Sequence, residues 1–247
     1  MKIVIKVTSR FRDPEITSRF AQAVGSLLQD GHNIIIVHST HEERGSDESA
    51  RNGQGIKMPQ YAFEEIGEEN RNLVAALTCF GIPAVGICGG IGGICTVRKT
   101  FSNGDTSPVE PGETNAHWLE IICKNRGVPV ISNLVLASWG TYYLVDCDKL
   151  AASCAGGWSA DALIYLTSVE GVRNLDGATA RWLEINDIEV LRDQGQITQG
   201  MLVKLQACRK ALTSGVGRVR ILPIAHVDSL PLFFRARIDV GTEVIML

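Results

Sequence analysis

Two lysines and a pair of aspartates, far apart in a chain of 247 residues, are the side chains best suited to chemistry. Lys6 closes the first β-rich run, VIKVTS, at the carboxyl end of a sheet strand, the edge where open α/β sheets bind ligands. Lys204 lies in GQITQGMLVKLQACRKAL, where Gly200 reads as a helix start and Lys204 as part of its first turn. Free backbone N–H groups and an ammonium group there both favour a phosphate. Between them, LVDCDKLAA sets Asp146 and Asp148 at the beginning of a helix. A carboxylate among lysines orients their ammonium groups or helps to hold Mg²⁺. Taken singly, each has a plainer reading: a solvated lysine, a helix cap, a turn aspartate. Their joint presence carries the phosphate reading.

Other chemistries find less support. The cluster GICGGIGGIC at 86–95 follows a strand, but Cys95 stands where GxGxxG needs its third glycine, and GxxxxGK[ST] is absent. The glycines Gly89–Gly93 still read as backbone able to approach a ligand closely. His38, His41, Glu42 and Glu43 lack a third ligand at helical spacing, so a polar loop is preferred and no metal site is assigned. No Ser-His-Asp or Cys-His spacing stands out.

The elements that must position these residues follow from the pattern. Asp13 caps and Pro14 opens a helix that Gly31 ends. NIIIVH at 33–38 reads as a strand buried on both faces. After a polar loop over 39–60 come a helix at 61–80, the strand PAVGIC at 83–88, a hairpin with a surface excursion over 89–115, a helix near 116–126 and the strand VPVIS. The second half repeats the rhythm: helix 147–156, strand 160–166, helices 184–194 and 200–214, strand 217–222, helix 226–235 and a closing strand EVIML. Alternating strands and helices predict a three-layer αβα sandwich around a mainly parallel sheet. The reading is one unit over 1–247, with lobes 1–157 and 158–247 and no linker between them.

Net charge of −3, from 24 basic and 27 acidic residues, argues against nucleic acid and anionic membranes as partners. Seven cysteines without a CxxC, several in apolar runs, read as reduced thiols of a cytoplasmic protein.

Several of these segments resemble the acetylglutamate kinases of the amino acid kinase superfamily. ADALIYLTSVEGV at 160–172 is similar to their nucleotide-gripping strand and turn, and GQITQGMLVKLQACRKALTSGVGRVRIL to their G-x-I-x-G-M-x-x-K helix and next strand. GTEV at 241–244 resembles their closing G-T-x-I, and NRNLVAALTCFGIPAVGICG a helix–strand unit of theirs. GGICTVRK also resembles the carrier-protein-linked aminoadipate relatives.

The resemblance implies transfer of the γ-phosphoryl group of ATP, with Mg²⁺, to the carboxylate of an acidic amino-acid derivative, in a homodimer. Lys6 and Lys204 match the phosphate-stabilising lysines and Asp148 the aspartate that organises them. Thr167, Ser168, Val169, Gly171, Val172, Arg173, Gln196, Ile197, Thr198 and Gly200 fall in segments that line the nucleotide site. Lobe 1–157 would then bind the acceptor and form the dimer, and lobe 158–247 would bind the nucleotide.

Departures cluster at the acceptor. Thr8 and Ser9 replace a Gly-Gly pair, and Ser39 and Thr40 replace glycines of H-G-G-G. Leu144 stands where the asparagine of N-x-N-A-D would touch the substrate, followed by Asp146. A Cβ at each former glycine narrows the backbone's approach, while hydroxyls can supply side-chain donors instead. Arg51 and Lys57 are the candidates to hold the substrate's α-carboxylate; Arg98 and Lys99 are further cations without a role. Two other expectations stay open: a non-catalytic ligand-binding or regulatory homologue, and a sister kinase acting on glutamate or another acid.

Overall fold

The structure is a computed structural model that describes residues 1–8, 13–39, 60–97, 109–137, 140–174, 176–235 and 239–247. Among these residues the central sheet has eight strands, namely β1 (Lys2–Val7), β2 (Asn33–His38), β3 (Ala84–Cys88), β6 (Val128–Ser132), β9 (Ala162–Thr167), β10 (Trp182–Glu184), β11 (Arg218–Pro223) and β12 (Thr242–Ile245). They run in the order β10-β12-β11-β9-β1-β2-β6-β3. All neighbours pair in parallel except β11 with β12. A second sheet joins β5 (Pro111–Thr114), β4 (Cys95–Val97), β7 (Leu134–Leu136) and β8 (Tyr142–Leu144), in that order.

Alternation along the inner strands divides the core in two. Ile3, Ile5 and Val7 of β1 and Ile34 and Ile36 of β2 join one cluster; Val4, Ile35 and Val37 join the other. Successive side chains leave opposite faces of a strand, so an uninterrupted apolar run needs cover on both sides. Helices α1 (Pro14–Gln29), α2 (Gln60–Cys79) and α7 (Leu230–Arg235) supply one layer through Phe20, Leu27, Leu77 and Phe233. Helices α3 (His117–Lys124), α4 (Cys147–Gly157) and α6 (Gln199–Thr213) supply the other through Leu119, Leu150, Leu205 and Cys208. This is the three-layer αβα arrangement that the pattern predicts.

Helix ends follow the expected chemistry. Asp13 caps α1 by accepting the N–H of Glu15 at 2.9 Å, and Pro14 occupies the first helical position. Other boundaries differ from the sequence reading. The expected helix 184–194 contains the end of β10, a 3₁₀ turn at Ile185–Asp187 and the short α5 (Ile188–Asp193). The expected helix 226–235 divides into a 3₁₀ stretch (Ile224–Ser229) and α7. β7, β8 and β10 have three residues each, too few to show a period in the sequence.

Candidate active site

The three residues singled out first meet in space. Asp148 presents Oδ1 to the Lys6 ammonium at 3.0 Å and Oδ2 to the Lys204 ammonium at 2.6 Å. The Lys204 contact is a directed hydrogen bond, whereas the Lys6 contact is an ion pair off the hydrogen-bonding direction. All three are buried, at 7% exposure for Lys6 and 8% each for Asp148 and Lys204.

Each position follows from its element. Lys6 lies in β1 on the same face as Val4, towards the layer of α4 and α6. Asp146 caps α4 by accepting the N–H of Lys149 at 2.9 Å, which puts Asp148 in the first turn. Lys204 projects from α6, which packs against α4. Because α6 begins at Gln199 with Thr198 as its cap, Lys204 lies in the second turn, and the expected first-turn position is corrected. Gly200 is inside the helix, not its start.

The electrostatics are self-consistent. Burial alone would lower the pKa of Lys6, but the neighbouring Asp148 and Asp146 carboxylates outweigh it and raise the value above that of an ordinary lysine. Burial would raise Asp148, yet Lys6 and Lys204 hold it down to about 2. Asp146 is pushed up by burial and by the negative charge of Asp148. The triad therefore carries two ammonium groups on one carboxylate, a net positive charge at the N-terminus of α4.

Tyr165 of β9, beside Lys6 in the sheet register, is fully buried in the same place. Its hydroxyl donates to the Asp148 carbonyl at 3.1 Å, and the Lys204 ammonium lies 5.2 Å from its ring centroid. The sequence reading missed it, although a tyrosine within the aliphatic run ALIYLT is a visible anomaly.

A cleft of about 600 Å³ opens between the segment after β9 and the start of α6. Ser168, Val169, Gly171, Val172, Arg173, Gln196, Ile197 and Thr198 line it, eight of the ten positions expected around a nucleotide. Thr167 is buried at the end of β9 and Gly200 lies in α6; neither lines the cleft. Glu170, inside the expected segment from Ser168 to Arg173, lines it too, while Gly177, Thr179 and Met201 line it without having been anticipated. Lys204 follows Met201 by three positions on α6, so the triad and cleft share one helix face.

The acceptor side is less gathered. Thr8 follows β1 with a buried Oγ1 that has no hydrogen-bond partner among the described residues, and Ser39 is half-buried after β2. Leu144 ends β8 and is 39% exposed. Ser9 and Thr40 lie outside the described residues, as do His41, Glu42, Glu43, Arg51, Lys57, Arg98 and Lys99. Unanticipated near these strand ends are Asn133, which donates to the Val145 carbonyl at 2.8 Å and has a buried Oδ1 without a hydrogen-bond partner among the described residues, and Asn70, which meets His38 Nε2 at 2.8 Å. The glycine cluster does not present bare backbone to a ligand at Gly90, where an added Cβ would lie 2.7 Å from the Leu136 nitrogen. That glycine lets β7 pack closely.

Comparison with known proteins agrees with this geometry. Residues 1–223 match the amino acid kinase family. The acetylglutamate kinase of Acidobacterium capsulatum is 40% identical, covering 99% of both chains, and that of Koribacter versatilis is 34% identical with the same coverage. A crystal structure of N-acetylglutamate synthase from Neisseria gonorrhoeae, complexed with coenzyme A and L-arginine, superposes with a TM-score of 0.78 at 19% identity. It is covered over 98% of this chain and 61% of its own, so this chain spans less than two thirds of the synthase; the likeness shows the fold. By sequence match over nearly its whole length, the chain belongs to the amino acid kinase family and, within it, to the acetylglutamate kinase family.

Proposed function

We propose that this protein transfers the γ-phosphoryl group of ATP to the carboxylate of an N-acylated acidic amino acid, N-acetylglutamate or a close relative, as a step of arginine biosynthesis. The observation that carries the reading is the buried Lys6–Asp148–Lys204 triad, with relatives named acetylglutamate kinase at up to 40% identity in its support. Phosphoryl transfer asks a protein for positioning and for neutralisation of the charge on the transferred group. Lys6 and Lys204 supply that neutralisation from two sides. Asp148 keeps both ammonium groups apart and aimed, and its low pKa keeps it ionised at every working pH. A carboxylate acceptor is already a nucleophile, so the mechanism needs no general base.

The cleft suits a nucleotide in volume and in its joining to the triad along α6. Mg²⁺ supplies charge neutralisation between the phosphates when bound. Asp148 has both oxygens committed to lysines, and among the described residues no group of three His, Cys, Asp or Glu could hold an ion. The residues present therefore fit a cation carried chiefly by phosphate oxygens. Every residue lining the cleft falls between 168 and 201, which supports a nucleotide lobe at 158–247; an acceptor and dimer lobe at 1–157 is the other half of the proposal. A homodimer and a cytoplasmic location belong to the same reading. All seven cysteines are free, and among the described residues no helix is long and apolar enough to cross a membrane.

Trapping acyl phosphate with hydroxylamine, using ATP, Mg²⁺ and a panel of N-acylated and free dicarboxylic amino acids, tests the reading. Product with an N-acylated acid is expected, and its absence with every acid would overturn it. A non-catalytic homologue is the second reading, favoured by Thr8, Ser39 and Leu144 at the acceptor side. Calorimetry distinguishes it: nucleotide binding without turnover on any acid selects the second.

A further inference from the structure

The wall of the cleft is tied to the sheet through one hydroxyl. Thr242, the first residue of β12, is 0% exposed. Its Oγ1 accepts the N–H of Val172 at 2.9 Å and donates to the carbonyl of Ala180 at 2.6 Å. A main-chain N–H only donates and a carbonyl only accepts, so the hydroxyl makes both bonds at once.

Val172 and Ala180 are opposite legs of one hairpin. The N–H of Ala180 bonds the carbonyl of Val172 at 2.8 Å, Arg173 bridges to Thr179, and the N–H of Asn174 bonds the carbonyl of Ala178. Asn174 Oδ1 accepts the N–H groups of Asp176 and Ala178 and closes the turn. Held together internally in this way, the hairpin takes its place on the sheet from its base. There Thr242 grips both legs, and the N–H of Glu243 bonds the Arg181 carbonyl at 2.9 Å. The chain crosses the hydroxyl closely, since a Cβ on Gly171 would lie 2.6 Å from Thr242 Oγ1.

Five residues of this segment, Gly171, Val172, Arg173, Gly177 and Thr179, line the cleft, and Thr242 does not. We infer that Thr242 is a positioning residue for the nucleotide: its hydroxyl sets the hairpin wall against the sheet, and through that wall the affinity of the cleft. The inference rests on the nucleotide reading of the cleft given above. Valine in its place keeps the shape and strands both buried main-chain partners, whereas serine keeps the hydroxyl.

The test compares wild type, T242V and T242S by calorimetry with Mg·AMP-PNP, by steady-state kinetics and by hydrogen exchange over 172–181. For T242V, two lost hydrogen bonds predict about tenfold weaker Mg·AMP-PNP binding and a matching rise in the KM for ATP. The acceptor KM and kcat should stay within about twofold, and T242S within about twofold of wild type throughout. Exchange in 172–181 should quicken in T242V. Wild-type binding by T242V, weakening by T242S as large as by T242V, or a general fall in kcat with both KM values raised would overturn the inference. Wild-type exchange provides a check that needs no variant to fold: Mg·AMP-PNP should slow it in 172–181, and no change there would overturn the inference. If the wild type fails to bind Mg·AMP-PNP, the nucleotide reading falls and the role of Thr242 with it. Normal binding by T242V removes Thr242 alone.

Discussion

The hydroxyl of Tyr165 reaches the main-chain carbonyl of Asp148 across 3.1 Å, from the strand next to the one that bears Lys6. The bond fixes the first turn of α4 against the sheet at the point where its carboxylate meets two ammonium groups. Tyr165→Phe should leave the nucleotide KM near wild type and lower kcat several-fold, with about 1 kcal/mol lost in urea unfolding. Steady-state kinetics beside an unfolding curve checks this; an unchanged kcat would reduce Tyr165 to a packing role.

Asp148→Asn keeps the shape of the side chain and removes its charge. Lys6 and Lys204 would then face each other, buried, with no carboxylate between them and only Asp146 nearby to offset their charge. A loss of about 3–5 kcal/mol in stability and of measurable turnover is expected. Urea unfolding and the hydroxamate assay read the two effects. An unaltered unfolding midpoint would show that the triad is not what holds these lysines.

Acid should destabilise the protein in two ranges. Burial drives the His38 imidazole down to about 4, and Lys6 and Lys204 overcome the burial of Asp148 to hold it down to about 2. Both folded values lie below the unfolded ones, so each contribution is complete above the unfolded pKa and is lost as pH falls towards the folded pKa. For His38 the window runs from about pH 6.5 to 4 and is worth about 3 kcal/mol. For Asp148 it runs from about pH 4 to 2. Unfolding free energy measured against pH should show both ranges, and His38→Asn should shrink the upper one without touching the lower, leaving the part that belongs to His32, which burial also lowers.

Gly171 has φ 147°, and a Cβ there would lie 2.6 Å from Thr242 Oγ1 and 2.7 Å from Thr179 Cγ2. Gly171→Ala should cost about 1–3 kcal/mol in stability through backbone strain and crowding. It should also raise the ATP KM. Thermal unfolding and kinetics with ATP as the varied substrate test both, and a variant with wild-type stability would show that the loop accommodates the methyl group.

The triad was legible because Lys204 lies in a specific motif and because Lys6 and Asp148 occupy a strand end and a helix start, positions that pattern alone locates. The layering was legible for the same reason: uninterrupted runs such as NIIIVH announce cover on both faces. Tyr165 escaped, and Thr242 stood out only as part of GTEV, because periodicity does not say what a polar atom inside a strand bonds; its partner, distant in sequence, gives it meaning. β7 and β8 escaped because three residues carry too little alternation. The acceptor side was readable as a set of departures, Thr8, Ser39 and Leu144, but not as a pocket, since Asn133 and Asn70 are marked only by their burial and contacts.

The antiparallel strand β12 lies between β10 and β11, and it follows every cleft residue in sequence. During synthesis, the hairpin must therefore wait for residue 242 to leave the ribosome before its base has an anchor. On the nucleotide reading proposed above, a chain that has not yet delivered residue 242 has a cleft whose wall lacks its anchor, and it should bind nucleotide more weakly than one that has.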